Sequence, residues 1–113
     1  MKAGAKVKRG YLVTVAPHGD EGMPRLALVI QTDVYSEHPW ITVLPVTSDF
    51  KDAPLFRIPI EPTSQNGLKK SSQVMVDKTQ TVARQRIAGV IGRVDDDTLL
   101  AVNRALAVFL GFA

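Results

Sequence analysis

Polar side chains that could handle an anionic group stand at the ends of apolar segments in this chain. Arg25 precedes the apolar run LALVI, Thr47 and Ser48 follow the segment WITVLPV, and Asp77 and Lys78 follow the segment SQVMV. In an antiparallel sheet the start of one strand lies beside the end of the next, so Arg25 and Thr47 can share one edge. A guanidinium beside a hydroxyl group forms a phosphate-sized site, because both groups donate hydrogen bonds to anionic oxygens.

The segment that leads into Arg25 has the composition of an exposed loop, with two glycines, two acidic residues and one histidine in residues 18–23. Loops of this kind often carry function, so we expect His18, Asp20 and Glu21 to contact a bound substrate. The imidazole of His18 could also transfer a proton near neutral pH. Alternatively, Asp20 or Glu21 pairs with Arg25 in a surface salt bridge.

Strand signals surround these residues. Alternating or continuous apolar segments bounded by glycine and proline predict strands over residues 11–16, 25–30, 40–47, 55–60, 72–76 and 87–93. Pro45 and Pro59 predict edge strands or bulges, because proline has no backbone N–H to donate. The glycines of the last strand predict sharp curvature or close backbone contact.

The end of the chain changes to a helical period. Asp95 is a typical N-cap, and apolar residues recur at helical spacing before Gly111, namely Leu99, Val102, Leu106 and Phe109. We interpret this stripe as core or dimer packing. The pattern as a whole predicts a mainly β fold with helices (α+β), in which a small antiparallel sheet or barrel carries one C-terminal helix.

Composition narrows the function classes. A chain of 113 residues predicts one domain over residues 1–113, and the absence of cysteine excludes disulfides, thiolate metal sites and a cysteine nucleophile. His18 and His38 do not have metal-ligand spacing, and no nucleotide-binding loop or nucleophile elbow is present, so we expect no metal and no cofactor. The net charge of +3 permits a polyanionic partner.

The sequence also lacks membrane and export signals. No apolar run approaches the roughly 20 residues of a membrane-spanning helix. The basic segment at residues 2–9 is not followed by the apolar stretch of a secretory signal. We therefore expect a soluble, cytoplasmic protein without a membrane partner.

Short segments in a fixed order resemble the MazF/PemK toxin family. They are KRGYLV at residues 8–13, the acidic glycine-containing loop, RLALVIQ at 25–31, LPVTS at 44–48, residues 74–82 and IGRV at 91–94. The resemblance covers nearly the whole chain. It implies an SH3-like, CcdB-like barrel that forms a homodimer, cleaves single-stranded RNA (mRNA) sequence-specifically without metal to inhibit translation and growth, and is silenced by a cognate antitoxin.

The resemblance also implies residue roles. The catalytic arginine of the family falls on Arg25 and its partner hydroxyl on Thr47, with Ser48 adjacent. The ribose 2′-hydroxyl would attack the neighbouring phosphate and leave a 2′,3′-cyclic phosphate, while Arg25 neutralises the phosphorane and Thr47 hydrogen-bonds a phosphate oxygen. Asp77 matches an acidic residue of the family and is either a general base or a structural hydrogen-bond acceptor.

Three positions depart from the family pattern. Leu26 follows Arg25 where the family has proline, Met75 occupies a position where some members have a proton-donating arginine, and Gln80 replaces another arginine. We expect Lys78 to replace part of the lost positive charge, and Lys78 and Gln80 to contact the substrate together with Ser48.

Alternative interpretations remain open. A CcdB-like toxin of the same fold would inhibit DNA gyrase, and a non-catalytic SH3-like module would only bind a partner. Thr47 and Ser48 could simply cap a turn. Lys69 and Lys70 are either a solvated loop or a contact with the RNA backbone.

Overall fold

The computed structural model of the protein describes residues 7–17 and 22–113. Within these ranges the chain forms β-strands, two short 3-10 helices and one α-helix. The strands are β1 (Tyr11–Val15), β2 (Arg25–Val29), β3 (Trp40–Thr47), β4 (Arg57–Ile60), β5 (Ser72–Met75), β6 (Gln80–Ala83) and β7 (Ile87–Arg93). The 3-10 helices span Asp33–Tyr35 and Arg84–Arg86, and α1 spans Asp96–Leu110.

The strands form one antiparallel seven-stranded sheet in the order β4-β5-β3-β2-β1-β7, and β6 pairs with β3 off this path. The predicted mainly β fold with a C-terminal helix is therefore confirmed. The sheet is open rather than a closed barrel, since no ladder in the described residues joins β7 to β4. β6 was missed because Val82 is its only buried residue, so the segment carries little apolar signal.

β2 is buried on both of its faces, which explains its continuous apolar run. Leu28 belongs to one core cluster with Leu44 and Val102 of the helix. Ala27 and Val29 belong to a second cluster on the opposite face of the sheet. Because side chains alternate along a strand, Arg25 lies on the same face as the second cluster, at the end of the strand.

Two glycines bring the loop of residues 61–71 against β7. A Cβ atom on Gly92 would lie 2.4 Å from the carbonyl oxygen of Gln65, and one on Gly67 would lie 2.2 Å from that of Ile91. Arg93 N also donates to Gln65 O at 3.0 Å. The predicted close backbone contact is confirmed at Gly92, and it fixes the loop that carries Lys69 and Lys70.

The predictions made from Pro59 and Pro45 have different outcomes in the structure. Pro59 lies on β4, which is at the end of the strand order, so the predicted edge strand is confirmed. The prediction of an edge strand or a bulge at Pro45 is wrong, because β3 pairs with β2 on one side and with β5 and β6 on the other, and its register with β2 has no shift at Pro45. Pro45 falls between the β6 pairs, which end at Val43, and the β5 pairs, which begin at Val46. The missing N–H is therefore tolerated in a central strand.

The terminal helix forms as its sequence predicts. The Asp95 side chain accepts a hydrogen bond from Thr98 N at 2.8 Å, and hydrogen bonding from the Thr98 side chain and then from its backbone lowers the pKa of Asp95. Gly111 ends the helix in the left-handed conformation, with φ of 85°. Val102 is buried, Leu99 and Leu106 pack on the core, and Phe109 contacts Phe56 with ring centroids 6.4 Å apart.

Candidate active site

Two clefts meet at Arg25. Cleft A has a volume of about 510 Å³ and includes Thr47, Ser48, Lys69 and Lys70 in its lining. Cleft B has a volume of about 640 Å³ and lies on the β6 side of Arg25. The clefts share four lining residues, Arg25, Leu26, Pro45 and Met75. Arg25 therefore stands at the junction of one extended depression.

The register of the sheet positions Arg25 beside Thr47. β2 and β3 are antiparallel with Leu26 opposite Val46, so the next pair outward is Arg25 and Thr47. Val15 of β1 lies opposite Arg25 on its other side. The backbone of Arg25 is thus fixed between two strands while its side chain is exposed. The predicted shared edge of Arg25 and Thr47 is confirmed.

Thr47 and Ser48 lie where β3 opens into a loop. Thr47 Oγ1 accepts a hydrogen bond from Asp49 N at 3.0 Å, which confirms that this hydroxyl caps a turn. Thr47 also lines cleft A next to Ser48. Because a hydroxyl can accept and donate at once, the Thr47 O–H can still be donated to an oxygen atom in the cleft.

The charge of the clefts is one-sided. Cleft A is lined by Arg25, Lys69 and Lys70, and cleft B by Arg25, Lys78 and Arg86. Neither cleft has an acidic residue among the lining residues that the structure describes. Cations on both sides of one guanidinium favour an extended polyanion over a single small anion.

The remaining predicted site residues do not all lie at the clefts. Lys78 and Gln80 line cleft B. Asp77 follows β5 in a turn where Lys78 N donates to Met75 O at 3.2 Å, and it lines neither cleft. Its Oδ1 atom is buried and has no hydrogen-bond partner among the described residues. Both roles considered for Asp77 therefore stay predictions.

The predicted substrate contacts His18, Asp20 and Glu21 lie outside the described residues. The described residues on either side of this segment lie at the clefts, since Pro17 lines cleft B and Pro24 lines cleft A.

Arg57 is a second arginine on the same face of the sheet as Arg25, and the sequence pattern does not identify it as a neighbour of the site. Thr47 pairs with Gln73 on β5, and Arg57 of β4 pairs with Met75. Directly paired residues share a face, so Arg57 projects from the same face as Arg25. Its register position is opposite Met75. Only the strand pairing reveals this relationship.

Arg57 is buried, with 6% of its surface exposed. Its Nη1 atom donates to Gln73 Oε1 at 3.2 Å and to Asp49 O at 3.3 Å. Gln73 in turn bonds the backbone of Lys51 in both directions, at 3.1 and 3.0 Å. These hydrogen bonds hold the loop that follows Thr47. Arg57 lines neither cleft, so it supports the end of β3 through this loop.

The described residues contain neither a metal-binding cluster nor a membrane-spanning helix. No group of three or more His, Cys, Asp or Glu side chains in residues 7–17 and 22–113 could hold a metal ion. None of the helices found there is long and apolar enough to cross a membrane.

Comparison with known proteins decides the family. Residues 8–110 match the family described as PemK-like, MazF-like toxin of type II toxin-antitoxin system. The chain belongs to this family. The MazF/PemK resemblance seen in the sequence is therefore confirmed, and the Arg25 site lies within the matched residues.

Relatives and solved structures agree with this assignment. The chain is 42% identical over 108 residues to the probable endoribonuclease MazF of Mycolicibacterium smegmatis, covering 95% of this chain and 99% of the relative. It is 28% identical over 110 residues to the endoribonuclease EndoA of Bacillus subtilis, covering 92% and 94%. A MazE-MazF crystal structure from Deinococcus radiodurans has a TM-score of 0.78 at 28% identity, covering 95% and 98% of the two chains.

Proposed function

We propose that this MazF/PemK-family toxin is a sequence-specific endoribonuclease that cleaves single-stranded RNA, including mRNA, without a metal ion, and so inhibits translation and growth. The observation that carries this proposal is the position of Arg25 beside Thr47, one residue beyond the Leu26–Val46 pair, where two cation-lined clefts meet. The relatives named as endoribonucleases favour this function over gyrase inhibition and over a non-catalytic module.

The proposed reaction is an attack of a ribose 2′-hydroxyl on the adjacent phosphorus. A bond forms between the 2′-oxygen and phosphorus, the bond from phosphorus to the 5′-oxygen breaks, and a 2′,3′-cyclic phosphate remains. Only RNA has the nucleophile, which makes the reaction selective for RNA. The 2′-hydroxyl loses its proton to a base, and the 5′-oxygen gains one on leaving. We assign the base to Asp77, which lines neither cleft and would therefore take the proton through a bridging water molecule.

Arg25 and Thr47 would stabilise the transition state. Extra negative charge develops on the phosphoryl oxygens as the phosphorane forms, and a guanidinium that donates hydrogen bonds to these oxygens offsets it. Arg25 is suited to this because β1 and β3 hold its backbone while its side chain stays accessible. The Thr47 hydroxyl would donate to a second phosphoryl oxygen.

Neighbouring groups would bind the rest of the chain. Lys69 and Lys70 in cleft A and Lys78 in cleft B lie on opposite sides of Arg25, and they suit the phosphates that flank the scissile one. We assign substrate contacts to Ser48 and Gln80 as well, and to the segment with His18, Asp20 and Glu21.

The same proposal includes a setting and partners. A toxin of this family would act in the cytoplasm as a homodimer, and a cognate antitoxin would silence it. The Deinococcus radiodurans structure, which contains MazE together with MazF, supports the antitoxin as partner.

Cleavage of long RNA in excess EDTA tests the function. We expect discrete fragments whose 3′ ends carry a 2′,3′-cyclic phosphate, detected by end-specific ligation and mass spectrometry. DNA of the same sequence is the control and should stay intact. Intact RNA under these conditions, or cleavage only after a divalent metal is added, would contradict the proposed chemistry.

A further inference from the structure

A third cleft, cleft C, lies at the opposite end of β3 from Thr47. Its volume is about 330 Å³, and its lining consists of Gln31, Tyr35, His38, Trp40, Thr42 and Thr81. Trp40 begins β3 and Thr47 ends it, so the two sites are separated by about 23 Å at the usual rise of a strand. No role in the proposed cleavage uses this cleft.

The aromatic rings of cleft C are available to a ligand. Tyr35 is 60% exposed and Trp40 is 52% exposed, although large aromatic side chains are normally well covered in a folded domain. None of the lining residues is Lys, Arg, Asp or Glu. Cleft C therefore suits a flat uncharged group, whereas clefts A and B suit phosphates.

Backbone hydrogen bonds hold the ring-bearing segment in place. Gln31 Nε2 donates to Tyr35 O at 2.9 Å and to Trp40 O at 3.2 Å, and its Oε1 accepts from Thr42 N at 2.9 Å. Trp40 N donates to His38 Nδ1 at 3.0 Å. A single glutamine thus ties the 3-10 helix to β3, and preorganised rings lose little entropy when a ligand stacks on them.

Cleft C is connected to the candidate active site. Thr81 lines both cleft B and cleft C, and Arg25 lines both cleft A and cleft B. Side chains alternate along β3, so Trp40 and Thr42 lie on the opposite face of this strand from Thr47. An RNA strand that leaves cleft B must therefore pass round the outer edge of β6, at Thr81, to reach the aromatic rings. Proteins that bind single strands combine a cationic groove with stacking aromatic residues in this way.

We propose that cleft C is a nucleobase-stacking subsite for the single-stranded RNA that passes Arg25, with Trp40 as the principal stacking residue. A base distant from the scissile phosphate would stack on Trp40, and the His38 ring and the Thr42 and Thr81 hydroxyls would be available for hydrogen bonds to its edge. This inference rests on the proposed function, since it requires an RNA strand in clefts A and B.

Trp40 is itself the reporter, because the chain contains one tryptophan. In an Arg25→Ala background, which slows cleavage enough for a binding measurement, we expect tryptophan fluorescence to be quenched by single-stranded RNA of about ten nucleotides. RNA of about three nucleotides, centred on the cleaved bond, should bind without quenching because it cannot reach cleft C.

Binding measurements on substituted proteins complete the test. Trp40→Ala should weaken binding of the longer RNA about tenfold and leave binding of the short RNA unchanged, while Trp40→Phe should restore most of the affinity. Val34→Ala is the matched control, because Val34 lies in the same segment, is 80% exposed and does not line cleft C. It should bind like the parent.

Each result separates this inference from the proposed function. Normal RNA cleavage with no quenching, and with the affinity of Trp40→Ala for the longer RNA equal to that of the parent, overturns the subsite and leaves the nuclease intact. Absence of cleavage by the unaltered protein contradicts the function itself. If Trp40→Ala dissociates a dimer in sedimentation without changing RNA affinity, cleft C is an interface between two copies and the subsite is wrong.

Discussion

Arg25 and Arg57 project from the same face of one sheet and have opposite environments. Their strands are separated by β3 and β5, which corresponds to a distance on the order of 14 Å at the usual strand spacing. Arg25 is exposed where two clefts meet. Arg57 is 6% exposed, and its guanidinium is bonded to Gln73 and to the backbone of Asp49.

The difference suggests two roles for a guanidinium at the proposed phosphate site. An accessible guanidinium can bind the phosphate directly, because its donors are not committed to the protein. A buried guanidinium that holds a loop can fix the groups that line the cleft. Arg57 acts on the segment that begins at Asp49, and Asp49 N is the donor to Thr47 Oγ1. It is therefore a positioning residue in this interpretation.

Replacing Arg25 by alanine should give the largest effect. We expect RNA cleavage to fall about 10²- to 10³-fold, because one preorganised charge at the developing phosphorane is lost. The free energy of unfolding should change by less than about 0.5 kcal/mol, since the side chain is exposed. Single-turnover cleavage and urea denaturation measure the two quantities. Arg25→Lys keeps a charge without the planar fork and should recover only part of the rate.

Cleavage at the unaltered rate by a folded Arg25→Ala protein would remove Arg25 from the catalytic site, and the contrast with Arg57 would disappear.

Replacing Arg57 by alanine should lower stability more, and cleavage less, than replacing Arg25 by alanine. We expect a loss of about 2 to 4 kcal/mol in the free energy of unfolding, because a buried side chain and its hydrogen bonds to Gln73 and Asp49 are removed. Cleavage, measured at a temperature where the protein is folded, should fall less than in Arg25→Ala. Arg57→Met retains the aliphatic volume and should be less destabilising than alanine.

A large loss of cleavage in Arg57→Ala with unchanged stability would contradict the positioning role of Arg57, because it would mean that Arg57 acts on the substrate.

Thr47→Ala should lower cleavage less than Arg25→Ala does, and stability less than Arg57→Ala does. Removing the hydroxyl eliminates one donor to the phosphate and the acceptor for Asp49 N, so we expect about a tenfold loss of cleavage and about 1 kcal/mol of stability. Thr47→Ser keeps the hydroxyl and should retain most of both. If Thr47→Ser loses as much cleavage as Thr47→Ala, the hydroxyl is not the active group and the assignment of Thr47 is wrong.

The fold was predictable wherever local pattern and burial agree. β3 and β7 have the predicted bounds, α1 has its predicted N-cap and its predicted end, and β2 begins at the predicted arginine. β6 was missed, since three of its four residues are not buried and it is held by pairing with β3. The edge prediction for Pro45 failed because a proline tolerates a central strand where two neighbouring ladders end.

The sequence by itself predicted the resemblance to the family, the antiparallel sheet with its terminal helix, and a shared edge for Arg25 and Thr47. It did so because apolar periodicity reports which segments are buried, and short loops leave few ways to join them. The tertiary structure alone decided the partners of Arg57, the position of Asp77 outside both clefts, and the connection of cleft C to Arg25 through Thr81. These features depend on register between strands that are distant in the chain, and local sequence does not encode that register.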